Sequence, residues 1–564
     1  RWSGWGGAGA AQETGEATTT RQRGSDRRLA VLPFENLGDS ADAYFADGVT
    51  DEIRGKLAAL PGLEVIASTS ANQYRGTGKR PDQIGRELGA RYLLVGRVRW
   101  AKTASGVNRV QVRPELIDTR SEAVRWGAPF DAPHTDVFLM QADIAARVAQ
   151  ALGVALGASE RERLAARPTQ NLAAYDAYLR ALEVRRTDAP AAAAGFERAV
   201  ALDSTFALAW AELSLTRQRF SGGGITPRTH IERSRGDAER AIALQPRLAR
   251  GYLALANYYL RSGNHTRALA EYARGLAVAP NDVDLLGALV NVDLRRGQWE
   301  RALEAARRLQ SLDPRSGVLL GAEAAALHYL RRFPEAQSVV NRAVTFDSLE
   351  PRWYTQMMDN AAAQGDLAAA RRAVDLAQRR LGYSQAVAFL GRWYDEQWIL
   401  PDTTRAFLLR LPPSAMEGDT IDWATTLALA ARSLGQRDRA QAYADTARRV
   451  LERRQGEYLI VDPLENQLGL GLCLANALAK RVSAARGHCQ ALVDRPSPNA
   501  MWHDFELWAY ALASMEIGDP DKAITALEQL VRGPGRFTPA YLRLDPTFAS
   551  LRTSPRYQRL VSGM

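Results

Sequence analysis

Two side-chain types recur in this 564-residue chain at a spacing that suits recognition rather than turnover. Asn257 and Asn291 stand 34 residues apart, as do Arg261 and Arg295 (291 − 257 = 295 − 261 = 34). A primary amide bonds peptide groups, and a guanidinium grips a carboxylate in a two-pronged fork. Arg250 and His328 fall on related positions of the same pattern. Other chemistries lack their residues. The six histidines, at 134, 230, 265, 328, 488 and 503, have neither the HExxH nor the paired CxxC spacing of a zinc site, so helix-surface or core roles are expected of them. No serine sits in a GxSxG elbow, and the HRD and DFG sets of a kinase are absent. The run YFADGVTDE places Asp47, Asp51 and Glu52 around an expected helix start, where carboxylates favour the dipole, rather than in a metal loop. No catalytic residue, cofactor or metal is expected.

The elements that position these residues are read from a period. Pro246, Pro280 and Pro314 are 34 apart and close the phrases RAIALQP, RGLAVAP and RLQSLDP; RAVTFDS follows at the same interval without proline. Within one unit, Tyr252, Leu255 and Tyr259 make an apolar helical face, Ser262–Asn264 a turn, and Ala268, Tyr272 and Gly275 the close-packing side of a second helix. Gly263, Gly297 and Gly365 keep the turn column, with Arg331 in place of one glycine, and Ala268, Ala302, Ala336 and Ala370 keep the packing column. This pattern resembles the tetratricopeptide repeat, which implies eight to ten helix hairpins stacked into a solenoid. The resemblance also implies that positions two, five, nine, twelve and thirteen of each first helix face a concave groove. From Ala249 these are Arg250, Leu253, Asn257, Leu260 and Arg261; from Val283 they are Asp284, Gly287, Asn291, Leu294 and Arg295. A peptide-binding groove of Arg250, Asn257, Arg261, Asn291, Arg295 and His328 is therefore expected. The competing reading is that arginines near helix ends only complement the dipole.

Composition bounds the partners. A 46% hydrophobic and 24% charged chain folds around a core. Its net charge of +10 comes from 73 basic residues, of which only 5 are lysines (73 − 5 = 68 arginines), spread through helices beside acidic neighbours. That dispersal disfavours nucleic acid as a partner. No apolar run is long enough for a membrane span. Cys473 and Cys489, in helical stretches 16 residues apart, read as buried small side chains rather than a disulfide framework or metal site.

Before the repeats, the order strand, helix, strand, helix and three strands with a closing helix over 27–158 gives an α/β domain with a mixed sheet and no glycine-rich phosphate loop at its junctions. The expected elements are Arg27–Leu37 (strand), Ala41–Leu60 (helix), LEVIAST (strand), PDQIGRELG (helix), RYLLVGRVRWA, Val107–Thr119 and Ala123–Asp131 (strands), and Asp136–Leu156 (helix). LAVLPFENL, YFADGVTDEI, LEVIASTSANQYRG, GRELGARYLLVGRVR and TDVFLMQADIAARVAQAL, in that order, resemble the TolB amino-terminal-like domain. That resemblance implies a bacterial signalling protein with a kinase, adenylate cyclase or winged-helix module upstream, and a place beyond a membrane tether, outside the cytoplasm, with a cytoplasmic place as the alternative. Residues 1–26, small and polar, read as a linker, and the start at Arg1 as a truncation. Repeats are expected over 171–382 and 421–537, degenerate or irregular units over 383–420, an inserted loop at SGGGITPRTH, and a cap over 538–564. The function so read is a non-catalytic protein- or peptide-binding scaffold, the alternative being the regulatory part of a kinase or cyclase.

Overall fold

The computed structural model describes residues 27–101, 108–185, 187–218, 228–416, 418–454, 464–497 and 499–563. The expected linker 1–26 and residues 221–227 of the expected insertion SGGGITPRTH lie outside them, and its last three residues, Arg228–His230, instead open a helix. The chain is a small mixed-sheet α/β domain followed by a long helical solenoid.

In the α/β domain, strands β1 (Arg28–Val31), β3 (Glu64–Val65) and β4 (Tyr92–Ala101) run parallel in the order β3-β1-β4, and β2 (Glu35–Asn36) also pairs with β4 in parallel. β5 (Arg109–Asp118), β6 (Val124–Gly127) and β7 (Phe130–Pro133) add antiparallel ladders. Two of the expected strands divide. Pro33 cannot donate to a ladder, which splits Arg27–Leu37 into β1 and β2, and Ala128–Pro129 separate β6 from β7. Helices α1 (Ala43–Ala58) and α4 (Val137–Ala151) bury Phe45, Val49, Ile53, Ile144 and Val148 against one sheet face. α2 (Ser68–Ala71) and α3 (Pro81–Leu88) cover the other, where Ile84 and Leu88 pack on Leu93.

α5 (Ala158–Ala165) leads into the hairpins α6/α7 (Leu172–Val184, Ala189–Leu202), α8/α9 (Ala207–Gln218, Arg228–Leu244), α10/α11 (Ala249–Arg261, His265–Val278), α12/α13 (Val283–Arg295, Trp299–Leu309), α14/α15 (Gly317–Tyr329, Phe333–Phe346) and α16/α17 (Arg352–Ala363, Leu367–Leu381). The short α18 (Tyr383–Gly391) and α19 (Asp402–Leu408) interrupt the regular pattern. It resumes in α20/α21 (Thr420–Ser433, Arg437–Arg454), α22/α23 (Leu464–Leu478, Val482–Asp494) and α24/α25 (Ala500–Glu516, Pro520–Arg532), and α26 (Pro539–Leu544) and α27 (Pro555–Ser562) close the chain.

One turn chemistry repeats along the array. Gly263, Gly297, Gly365, Gly435 and Gly518 all have φ between 69° and 84°, and Arg331 and Lys480 take the same left-handed conformation at 58° and 59°. In each turn the next residue donates its N–H to a carbonyl five residues back, as in Gln298 to Asp293 and Arg332 to Leu327, which caps the first helix. Five residues after each turn residue stands a buried alanine; Ala268, Ala302, Ala336, Ala370, Ala485 and Ala523 are all 0% exposed. The small side chain lets the second helix lie close on the first.

The array also touches itself at two places remote in sequence. The α/β domain packs on α6, where Tyr44 Oη donates to Asp176 at 2.5 Å. A Cβ on Gly48 would come within 2.5 Å of Leu179, so the DG of YFADGVTDE leaves room for that helix. The same domain reaches the α13–α14 turn. Ala67 N donates to Leu312 O at 2.9 Å, Ser70 Oγ to Asp313 at 2.5 Å, and Arg315 Nε to Gln73 at 2.6 Å. At the other end, the chain from α24 to α26, the C-terminal arm, folds back over the far ends of α14 and α16. Tyr329 Oη donates to Met501 O at 2.9 Å, Thr538 Oγ1 to Ala363 O at 2.6 Å, and Trp398 Nε1 to Tyr541 Oη at 3.3 Å.

Candidate functional site: the concave face at residues 249–295

Successive first helices align equivalent positions along the array, and their side chains meet there. Arg250 does not project free into the groove. Its Nε donates to Glu212 at 2.7 Å and its Nη1 to Asp284 at 2.5 Å, and Glu212 also accepts from Arg185 at 2.7 Å. Four consecutive repeats are thus joined by alternating charges. Burial alone raises the Glu212 carboxyl, but Arg250 and Arg185 outweigh it and hold the group down at about 2. Burial likewise disfavours the Arg250 charge, and Glu212 and Asp284 reverse the effect, so its pKa is raised.

Farther along the same helices, Asn257 accepts from Tyr272 Oη at 2.5 Å, within its own hairpin. Asn291, its equivalent, is exposed. Arg261 and Arg295 are half-buried neighbours. Burial lowers the Arg261 pKa and Arg295 lowers it further; His265 is lowered by burial, then by Arg295 and Arg296. The ends of α10 and α12 are therefore strongly cationic, a setting in which an incoming carboxylate gains from several guanidiniums at once.

His328 lies elsewhere. It is 5% exposed, its Nδ1 is 2.8 Å from Asn360 Oδ1, and its ring meets Tyr329 and Phe333 edge-on. Burial drops its pKa to about 4, so the ring is neutral and serves packing between α14 and α16. The structure thus brings Arg261 and Arg295 near one another, ties Asn257 to Tyr272 and leaves Asn291 exposed, assigns Arg250 to an ion-pair ladder and buries His328. Sequence reasoning missed Glu212 and Arg185, and it placed Arg331 in the turn column without its contacts. Glu212 sits on an equivalent first helix, and the longer spacing between this repeat and the next hides that register.

Two further expectations are corrected. Asp47, Asp51 and Glu52 are not at a helix start, because α1 begins at Ala43; Asp47 pairs with Arg75, Asp51 with Arg54 and Glu52 with Lys56. Cys473 and Cys489 form a disulfide, with Cα atoms 4.8 Å apart. α22 and α23 are antiparallel, and the tight turn at Lys480 brings the two positions face to face. Their separation of 16 in sequence does not reveal this, since pairing depends on where the turn falls. Among the described residues, no cluster of three or more His, Cys, Asp or Glu can hold a metal ion, and no helix is long and apolar enough to cross a membrane.

An array of capped helix hairpins with a concave face is a tetratricopeptide-repeat solenoid, an architecture suited to holding protein partners. Residues 249–292, which include most of this cationic stretch, match the tetratricopeptide repeat family model. The chain is 34% identical over 238 residues to a protein named "Putative adenylate cyclase 3" from Rhizobium meliloti (strain 1021). That similarity covers 40% of this chain and 39% of the relative, so the match spans about two fifths of the relative's length. Among solved structures it is similar to YrrB, a TPR protein with an unusual peptide-binding site (17% identity, 33% of this chain and 91% of that one, TM-score 0.26). It is also similar to a tetratricopeptide repeat protein from Parabacteroides merdae (10% identity, 53% and 99%, TM-score 0.33) and to the PelC dodecamer of Paraburkholderia phytofirmans (24% identity, 24% and 91%, TM-score 0.18).

Proposed function

We propose that this chain is the protein- or peptide-binding regulatory region of a bacterial signalling protein, and that it works without catalytic residues of its own. Its ligand is a peptide bearing a carboxylate, received on the concave face beside Arg261 and Arg295 with Asn291 bonding the backbone. The observation that carries this reading is the proximity of the equivalent Arg261 and Arg295 from two consecutive repeats, in and just beyond the stretch that matches the repeat family. Arg250 belongs to the scaffold of that site. The α/β domain is read as TolB-like, docked on the array. The Cys473–Cys489 bridge fits an oxidising compartment, which favours a place outside the cytoplasm.

A peptide array probed with the whole chain tests the reading. Acidic peptides held by the wild type should lose at least tenfold in affinity in an Arg261→Gln, Arg295→Gln variant whose thermal midpoint is unchanged. Equal retention by both proteins would remove the groove assignment.

A second reading is favoured by the cyclase-named relative: the region regulates an adenylate cyclase module in the same polypeptide. Deleting 171–564 from the intact gene product should then alter its cyclic AMP output. Output unaffected by the deletion would count against it.

A further inference from the structure

Where the C-terminal arm meets the repeats, the buried charges do not balance. Arg536 enters from the loop before α26 and pairs with Asp395, from which its Nε is 3.0 Å; Asp359 of α16 and Glu396 stand 3.8 Å from the same nitrogen. Asp504 of α24 comes within 2.9 Å of where a Cβ on Gly535 would stand, and Asp545 follows α26. Asp395, Glu396 and Asp545 are 0% exposed, and Asp504 is 5% exposed. Several oxygens have no hydrogen-bond partner, among them Asp395 Oδ1, both oxygens of Glu396 and Asp545 Oδ2. The other cation at the junction, Arg331, is committed to the carbonyls of Val531, Gly533 and Gly535. Five carboxylates are therefore gathered at a junction where Arg536 is the guanidinium paired with them, while Arg331 and His503 act on Asp504, and Arg432 on Asp545, through their charges. An ionised carboxylate left there without a partner is costly, and a proton removes that cost.

We propose that this cluster is a proton-operated clasp. With protons on the excess carboxylates the C-terminal arm is held against the ends of α14 and α16; as they ionise, mutual repulsion and the pull of water loosen it. The carboxylates come from both sides of the closure, so separating the sides rehydrates them. Burial raises Asp359, Asp504 and Asp545 to about 7, with Arg536 offsetting part of the rise at Asp359 and Asp504. The remaining ionisable neighbours do not reverse this balance. Tyr329 and Tyr541 are raised and stay neutral, and His328 is lowered by burial. His503 is raised by its bond to Glu506, and it offsets part of the rise at Asp504, as Arg432 of α20 does at Asp545. An acid raised on folding contributes most below its unfolded pKa and loses that contribution as pH climbs through its folded value. The clasp therefore weakens between about pH 4 and pH 7 and is loosest above that.

Hydrogen exchange on the whole chain, converted to protection factors at pH 5.5 and 8.0, tests the proposal. Residues 531–545 should lose at least tenfold in protection at the higher pH, while α6 and α7 do not. In an Asp359→Asn, Asp504→Asn, Asp545→Asn variant, which mimics the protonated state, protection should be alike at both pH values. Asp359→Asn alone supplies a second variant and should keep a difference smaller than that of the wild type. A wild type with equal protection at both pH values, or variants that lose as much as the wild type, would overturn it.

Discussion

Arg331 Nη2 donates to the carbonyl oxygen of Gly533 at 2.7 Å, across 202 residues of chain. The same guanidinium reaches Val531 O at 2.8 Å and Gly535 O at 3.2 Å, so one side chain caps the end of α25 and the loop after it. It does so from a turn position where five of its siblings are glycine and one is Lys480, at a φ of 58°. Left-handed backbone costs a non-glycine residue about 1 kcal/mol, whereas charged hydrogen bonds to buried carbonyls contribute about 1.5–3 kcal/mol each. The departure from glycine at Arg331 is thus explained by what the side chain holds.

Arg331→Gly should restore the easier turn yet still destabilise, by roughly 2 kcal/mol net, and Arg331→Ala should cost more because the backbone penalty stays. Denaturant midpoints of the two variants give the comparison; a more stable Arg331→Gly protein would show that the carbonyl contacts carry little.

Glu212 is buried between Arg185 and Arg250. Removing its charge leaves two guanidiniums in a buried site, so Glu212→Gln should cost about 3–5 kcal/mol. Its carboxyl is depressed, to about 2, so the stability it provides is complete above the ordinary carboxylate range and lost as pH falls from about 4.5 toward 2. Acid unfolding followed by circular dichroism should show a transition in that window, shifted to higher pH in Arg185→Gln.

Reduction of the Cys473–Cys489 bridge reopens a loop with a sequence separation of 16, worth about 3 kcal/mol in the chain-entropy picture. A Cys473→Ser, Cys489→Ser variant should melt lower than the oxidised protein, and a reducing agent should have no further effect on it. Mass spectrometry of the intact chain, two hydrogens heavier after reduction, establishes the bond itself.

Ala336 stands in the close-packing column at 0% exposure. Ala336→Leu should push α15 off α14 and cost about 1–3 kcal/mol, whereas Ala336→Gly should cost about 1 kcal/mol through helix propensity alone. A Leu variant as stable as the wild type would mean that the hairpin spacing is not set by this column.

The array was legible because its determinants are local and repeated. A left-handed turn, a buried alanine five residues on and an apolar face at helical spacing each leave a mark within one unit, and the period multiplies the mark. The sheet was legible in order but not in length, since Pro33 and Pro129 break ladders that hydrophobicity alone would continue. The partners of Arg250 could not be read off its column, because Glu212 precedes an insertion. The two closures left no trace at all. Ser70 with Asp313, and Arg331 with Gly533, join segments separated by hundreds of residues with no period between them, and only the curvature of the assembled solenoid brings them together.

That curvature gives one helix an unusual place. The turn at Leu312–Arg315, just before α14, holds the α/β domain, and Tyr329–Arg331, just after it, hold the C-terminal arm. The 13 residues of α14 make a rod about 20 Å long that is the shared strut of two closed loops of chain. A helix is stiff along its axis, so α14 fixes the distance between the Ser70–Asp313 contact and the Arg331 junction, and the two closures are spaced by one rigid strut.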